Sequence, residues 1–289
     1  MADLISSAAN PLIKRVRLLA DRRHRRREGA FVVQGVQPVW QAVEAGADIE
    51  TLIVAPDLLR PPAAAAMVAE QEQRGMRVTR LSADLFTRIA DRDGPAGLAA
   101  IVRARPVPLA GLTVGPGSVF VALHEVGNPG NLGTIIRTAS AAGAAGVILI
   151  GPAADPYDPA AVKASMGALF EVPVAQAAAG AEFLAWAAAE RVAVLAAALT
   201  GERTCWEAEF WPPLAILLGS EGDGLPADLL ESIDPVAGQR IRIPMTGTAE
   251  SLNLAVAAGI LLYEVRRRTG LPAPGSAAAT PGPIGSERK

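Results

Sequence analysis

The sequence predicts an α/β protein of two domains, the second built on a mostly parallel sheet. Three observations carry this. From Val119 onward, short apolar runs such as "VFVAL", "GVILI" and "AILLGS" alternate with helical patterns, as in a parallel sheet covered on both faces. A Pro/Gly-rich stretch, "RPVPLAGLTVGPGS" (105–118), separates them from an N-terminal segment with helices and strands of its own. At 289 residues the chain can bury two cores.

In the first domain, residues 1–105, "NPLIKRVRLLADRRHRR" places Leu12, Val16 and Leu19 at helical spacing and basic residues on the other faces. One amphipathic helix is expected over 11–27. "FVVQG" and "TLIVA" are β-branched runs closed by turn residues, hence buried strands. Residues 106–118 are expected to link the domains, and residues 119–268 to form the second. There "VFVAL" is a strand, "NLGTIIRTASAAG" a helix and "GVILI" a strand. Further strands are expected at "AVLAAAL" (193–199), "AILLGS" (215–220) and "IRIPM" (241–245). The last helix, Ser251 to Arg268, carries Leu254, Ala257, Ala258, Leu261 and Leu262 on one side. It closes on Arg266, Arg267 and Arg268, which suit the negative end of a helix. The tail, 269–289, is rich in Pro, Gly, Ala and Ser and is expected to be disordered.

The net charge of −2 hides an asymmetry. Residues 1–30 hold eight basic side chains (Lys14, Arg15, Arg17, Arg22, Arg23, Arg25, Arg26, Arg27) against Asp3, Asp21 and Glu28. A cationic end on an acidic protein points to a polyanion partner for that end, with Lys14, Arg15, Arg22, Arg23, Arg25 and Arg26 as phosphate contacts. The one cysteine, Cys205, excludes an internal disulfide, and with two histidines, His24 and His124, too few ligands remain for a zinc site. The start lacks the apolar core of a signal peptide, and the apolar stretches are broken by charges such as Glu190 and Arg191. A cytoplasmic protein without a membrane span is expected.

Three segments stand where a strand ends. "NPGNLGTIIRT" (128–138) joins glycines to Arg137, expected one turn into a helix near its positive end, where it could meet phosphate. Spacing fits a glycine turn with a solvent-facing arginine equally well. It is neither a dinucleotide fingerprint nor a P-loop. "LLGSEGDGLP" (217–226) sets Gly219, Gly222 and Gly224 around Glu221 and Asp223. Carboxylates there argue against phosphate and for a hydroxyl-rich or cationic ligand, although an ordinary acidic turn explains the spacing more simply. "RIPMTGTAESLNLAVAAG" (242–259) ends a strand and starts a helix, where Ser251 and Asn253 are natural caps. All three could converge on one crevice, which composition and spacing do not name.

Together they resemble the signature motifs of the SpoU/TrmH branch of the SPOUT methyltransferases. Asn131, Gly133 and Arg137 match the first; Gly219, Glu221, Gly222, Gly224 and Leu225 the second; Ile243, Pro244, Met245, Ser251, Leu252 and Asn253 the third. "KASMGALFEVPV" (163–174) looks like the stretch between the first two, and residues 3–105 resemble the family's substrate-binding domain, itself similar to ribosomal protein L30e. The resemblance implies a trefoil-knotted catalytic domain, a homodimer, S-adenosyl-L-methionine as cofactor and methylation of a ribose 2′-hydroxyl in RNA. By carry-over, Gly219, Ser220, Gly222, Ile243, Met245 and Leu252 hold the cofactor. Asn131, Arg137, Glu221, Ser251 and Asn253 surround the methyl group and the ribose. Ribosomal RNA, 23S in particular, is preferred to transfer RNA by analogy of the N-terminal domain. The family includes self-resistance enzymes of antibiotic-producing actinomycetes. Two departures stand out: where family members often carry an acidic residue before the first motif this chain has "HEVGNPGN", leaving the role of His124 and Glu125 open, and Gln34 stands where a glutamate is common.

Two other classes compete. A Rossmann-like nucleotide enzyme lacks its fingerprint here, and a non-catalytic RNA-binding protein would not need Asn131, Arg137, Glu221 and Asn253 together.

Overall fold

The computed structural model describes residues 4–90, 94–233 and 238–270. Asp3 and almost all of the tail expected to be disordered, 271–289, lie outside the described residues. The chain packs as two units. The first runs up to Pro106 and adds Gly127–Arg137 and Ala154–Glu171; the second takes Val107–Val126, Thr138–Ala153 and the chain from Val172.

The first unit opens with helices α1 (Pro11–Leu18) and α2 (Arg22–Glu28). The single basic helix expected over 11–27 is therefore two. Asp21 breaks it: its extended backbone cannot continue α1, and its carboxylate accepts from the His24 N–H at 3.1 Å as the N-cap of α2. Strand β1 (Ala30–Gln34), helix α3 (Val36–Glu44), strand β2 (Ile49–Val54), helix α4 (Pro62–Gln73), strand β3 (Val78–Arg80), helix α5 (Ala83–Thr87) and strand β4 (Leu98–Arg103) follow. The sheet order is β1-β4-β2-β3, with β4 antiparallel to both neighbours and β3 parallel to β2. Because alternate side chains point to opposite faces, β4 feeds two cores. Leu98, Ala100 and Val102 pack with Phe31, Val33 and Leu52; Ala99 and Ile101 pack with Ile13, Ile53 and Phe86.

The second unit is an eight-stranded sheet in which every described neighbour pair is parallel. Its strands are β5 (Val107–Pro108), β6 (Val119–His124), β7 (Gly146–Ile150), β8 (Val174–Ala177), β9 (Ala193–Ala197), β10 (Arg203–Thr204), β11 (Leu214–Leu218) and β12 (Gln239–Arg242). The remaining helices are α6 (Pro129–Ala141), α7 (Pro159–Ser165), α8 (Gly180–Ala189), α9 (Ala227–Glu231) and α10 (Leu254–Thr269). Strand order is β10-β12-β9-β11-β6-β7-β8-β5. From β6 the chain first builds outward through β7 and β8, then crosses to the other side, so the order reverses between β6 and β11. Strands β7 and β11 are buried end to end and β6 as far as Leu123, as continuous apolar runs such as "GVILI" require. The Pro/Gly-rich stretch after Pro106 is packed rather than loose: β5 pairs with β8, and Leu109 and Leu112 are buried in the second unit's core.

Within the first unit, Ala154–Glu171 is anchored by two kinds of contact. Tyr157 lies 4.6 Å and Phe170 6.2 Å, ring to ring, from Phe31, and Val162 joins the core. Arg25 supplies the other. It is only 3% exposed, meets Asp155 at 2.8 Å and Asp158 at 3.2 Å, and donates to the carbonyls of Leu19 and Ala20. This corrects the expectation that Arg25 faces RNA: a guanidinium so enclosed holds the fold. Arg15 is also engaged within the fold, though its side chain is partly exposed. Its Nε donates to Glu28 at 2.7 Å and its Nη atoms to both Glu50 oxygens at 2.6 and 3.1 Å. Arg103 meets the same Glu50 at 2.6 Å. Lys14, Arg22, Arg23 and Arg26 are exposed, as are Arg17 and Arg27.

Candidate active site

Register places the second unit's candidate loops on one edge. Leu123 of β6 pairs with Leu218 of β11, Leu217 with Ala196 of β9, and Ala197 with Ile241 of β12. The four strands thus end nearly level, and the loops that follow leave side by side. In open parallel sheets, ligands sit beyond the carboxyl ends where strand order reverses; here that is the β6/β11 junction.

The loop after β11 carries Gly219, Ser220, Glu221 and Gly222. Ser220 and Gly224 exchange backbone hydrogen bonds at 3.2 Å, and the Ser220 hydroxyl accepts from the Asp223 N–H. This tight loop explains two glycines. A Cβ on Gly219 would stand inside the Gly224 carbonyl and the Leu225 nitrogen, and Gly224 holds φ +70°. Gly222 faces open space, so a ligand could approach its backbone. Glu221 and Asp223 are exposed.

Beyond β12, Ile243 and Met245 are half-buried, while Ser251, Leu252 and Asn253 are exposed. "IRIPM" extends as strand only to Arg242, one residue before the proline-flanking Ile243. The last helix begins at Leu254, not Ser251, because Asn253 is its cap: Oδ1 accepts from Ala255 N at 2.9 Å and Val256 N at 3.3 Å. Capping is therefore the work of Asn253, which leaves the Ser251 side chain out of the helix end.

Asn131 and Arg137 lie on α6, which the chain enters four residues after β6. The side chain of Asn128 caps it, accepting from Gly130 N at 2.8 Å and Asn131 N at 3.1 Å. Arg137 is exposed and more than two turns in, not one as expected, because α6 starts already at Pro129. At that depth the helix dipole adds little, and its own charge must do the binding. Gly133 also differs from expectation. A Cβ there would strike the Ala161 carbonyl and Ala164, so this glycine serves close packing of α6 on α7, not a ligand.

The sequence shows neither the backbone conformation of Glu125 nor a further loop at this edge. Glu125, the first residue after β6, adopts φ +52°, the left-handed region rare for residues with a Cβ, and its N–H donates to Ile150 O at 2.9 Å. Strained turns of this kind cluster at working sites. The loop after β9, between the β11 and β12 ends, exposes Leu199 and buries Gly201 against β12, where Arg242 donates to the Gly201 carbonyl at 2.6 Å. Strand order alone reveals that loop; no motif marks it.

Comparison with known proteins finds relatives over almost the whole chain. Residues 118–263 match the SpoU rRNA Methylase family, and residues 10–100 match an MRM3-like substrate binding domain. The chain is 33% identical over 280 residues, 91% of each chain, to a 23S rRNA (uridine(2479)-2'-O)-methyltransferase of Streptomyces viridochromogenes. It is 29% identical over 262 residues, 91% of this chain and 98% of the other, to the 23S rRNA (guanosine(2553)-2'-O)-methyltransferase RlmP of Bacillus subtilis. Among solved structures, the AdoMet-bound rRNA methyltransferase from Sinorhizobium meliloti superposes with a TM-score of 0.83 at 36% identity, covering 92% of this chain and 98% of that one.

Proposed function

The chain belongs to the SpoU rRNA Methylase family, and from that premise we propose that it methylates a ribose 2′-hydroxyl of 23S ribosomal RNA with S-adenosylmethionine as donor. The observation that carries this reading is the level carboxyl ends of β11 and β12 in the second unit, from which the second and third motif-bearing segments leave. The residues there suit the donor's chemistry. Ile243, Met245, Leu252 and Leu199 offer an apolar wall, Gly219, Ser220 and Gly222 offer backbone at close range, and the exposed carboxylate of Glu221 suits a cationic sulfonium. When bound, the sulfonium supplies an activated methyl group.

The chain's own task is to orient the ribose and manage its proton. Arg137 acts as a clamp on the neighbouring phosphate and as a stabiliser of charge developing on the 2′-oxygen. Asn131, six residues earlier on the same helix, and Ser251 and Asn253 of the third motif are assigned to the sugar's other polar groups by their match to the family motifs. Holding the oxygen in line with the methyl carbon supplies much of the acceleration.

The active form is a homodimer in this reading. Val256, Ile260 and Tyr263 form an exposed apolar stripe at helical spacing along α10, the kind of face a second copy covers. Val256→Glu with Ile260→Lys should halve the mass seen by light scattering. A ribosomal RNA substrate supports a cytoplasmic location; housekeeping and self-resistance are two uses of one chemistry. Incubation of ribosomes, free 23S rRNA and bulk tRNA with methyl-labelled cofactor tests the whole reading. Label in a 23S ribose is expected; label only in tRNA, or on a base, would overturn it.

A further inference from the structure

The first unit contains a half-open cavity of about 370 Å³ that no motif announced. It is lined by the end of α1, the end of β1, the residues after α5 and one side of α7. Its depth is apolar: Phe86, Leu98 and Val162 are buried there. Arg17, Arg88 and Lys163 are cations on its lining, all exposed, and among the described lining residues none is acidic. The Gln34 carboxamide lies at its side, with Nε2 donating to the Ile89 carbonyl at 3.0 Å, so β1 and the segment after α5 form one fixed wall. Gly35, also on the lining, starts α3 at φ +103° and supplies no side-chain cap to it.

These features limit the occupant. A bare phosphate would leave the apolar depth empty, and an apolar ligand would have no use for three cations. A metal ion would find no carboxylate among the described lining residues. What matches both halves is a flat, uncharged ring joined to a phosphate. The volume lies within the range of about 300–1,000 Å³ usual for small-molecule sites. We propose that this cavity receives one unstacked nucleotide of the RNA substrate, its base against Phe86 and Val162 and its phosphate between Arg17 and Arg88. The inference rests on the RNA reading above and deepens it, by assigning the first unit a base-sized pocket in addition to a charged surface. Sequence-specific contact with single-stranded RNA commonly splays bases out in this way.

Two variants of the full-length protein test it. Ala20→Phe places a ring in the cavity from an exposed position and changes no charge. Arg17→Ala with Arg88→Ala removes the phosphate clamp and leaves the cavity open. Binding to purified 23S rRNA is measured by filter retention, and contacts by photo-crosslinking 23S rRNA that carries 4-thiouridine. Expected are crosslinks to the peptides around Phe86 to Ala90, at least tenfold weaker binding for both variants, and an unchanged melting temperature and S-adenosylhomocysteine affinity. Wild-type binding with crosslinks elsewhere, or full binding by both variants, would remove the pocket and leave the RNA reading standing. Should the wild type bind neither 23S rRNA nor tRNA, the RNA reading falls and this inference with it. If Ala20→Phe melts early, the arginine pair decides alone.

Discussion

The guanidinium of Arg266, near the end of α10, donates through Nε to the carbonyl of Ala142, just past the end of α6, at 2.9 Å across 124 residues of sequence. Its other nitrogens reach the Gly143 carbonyl at 2.6 Å and the Gly117 carbonyl at 3.3 Å. Only 5% exposed, it ties the helix behind the third motif to the helix that carries the first. Burial lowers its pKa, yet an arginine remains charged. Arg266→Met would leave those carbonyls without their donor, and a buried acceptor left unsatisfied costs about 1–3 kcal/mol. Arg266→Lys keeps charge but not the fork. Urea denaturation should rank wild type above Lys above Met; a Met variant of wild-type stability would show that the three bonds contribute nothing.

Arg25 and its neighbours Arg23 and Arg26 should separate in experiment. Arg25→Ala strands Asp155 and Asp158 and should lower the melting temperature markedly, since breaking a buried pair costs about 3–5 kcal/mol. Arg23→Ala with Arg26→Ala should melt as wild type. The pair should weaken RNA binding and reduce the slope of log affinity against log salt by about two units. An RNA defect in Arg25→Ala at full stability would reverse the assignment of its role.

The contrast between those arginines marks how far the sequence could be read. Strands β6, β7, β9 and β11 are legible because a strand buried on both faces is an unbroken apolar run. β5 and β10 are not, since two residues have no period. The break at Asp21 was in reach: an Asp three residues before a backbone N–H it can accept from is a helix start signal. The pairing of Arg25 with Asp155, 130 residues away, has no local signature. The same holds at the site. Spacing picked out the loops after β11 and β12, but only strand order adds the loop of Leu199 between them, and only backbone geometry separates Gly133, a packing residue, from Gly222.

Acid should loosen the first unit through Glu50. Hydrogen bonding from Arg15, with Arg103 nearby, holds its carboxyl below the usual carboxylate range. A carboxylate depressed on folding stabilises the fold above its unfolded pKa, about 4.3, and loses that contribution as pH falls through the folded value. Glu50→Gln should therefore be less stable than wild type at pH 7, with the gap closing below about pH 4. A urea midpoint difference that does not vary between pH 7 and pH 3 would exclude the network as the cause.

Asn253 is asked to do two things, and they can be pulled apart. Asn253→Ala removes the cap of α10 and should cost about 1 kcal/mol, a typical N-cap value. Asn253→Asp keeps an accepting oxygen and should restore stability, but it removes the amide donor. If the amide serves the ribose, Asp restores the melting temperature and not the turnover. Recovery of both would make Asn253 a cap alone.

Arg137 differs from a lysine in shape rather than in charge. Because the side chain is exposed and two turns beyond the start of α6, neither burial nor the helix end alters how it binds an anion. What distinguishes it from lysine is the planar fork, which can hold a phosphate and a neighbouring oxygen at once. Arg137→Lys preserves charge and helix propensity, so folding and S-adenosylhomocysteine affinity should be unchanged. Loss of a group aimed at charge that develops only in the transition state lowers kcat, by roughly 100-fold or more, with KM for RNA changing far less. A rise in KM at constant kcat would instead mean that Arg137 binds the RNA before and during reaction equally. Turnover like that of the wild type would show that a point charge suffices and that the fork has no part in the chemistry.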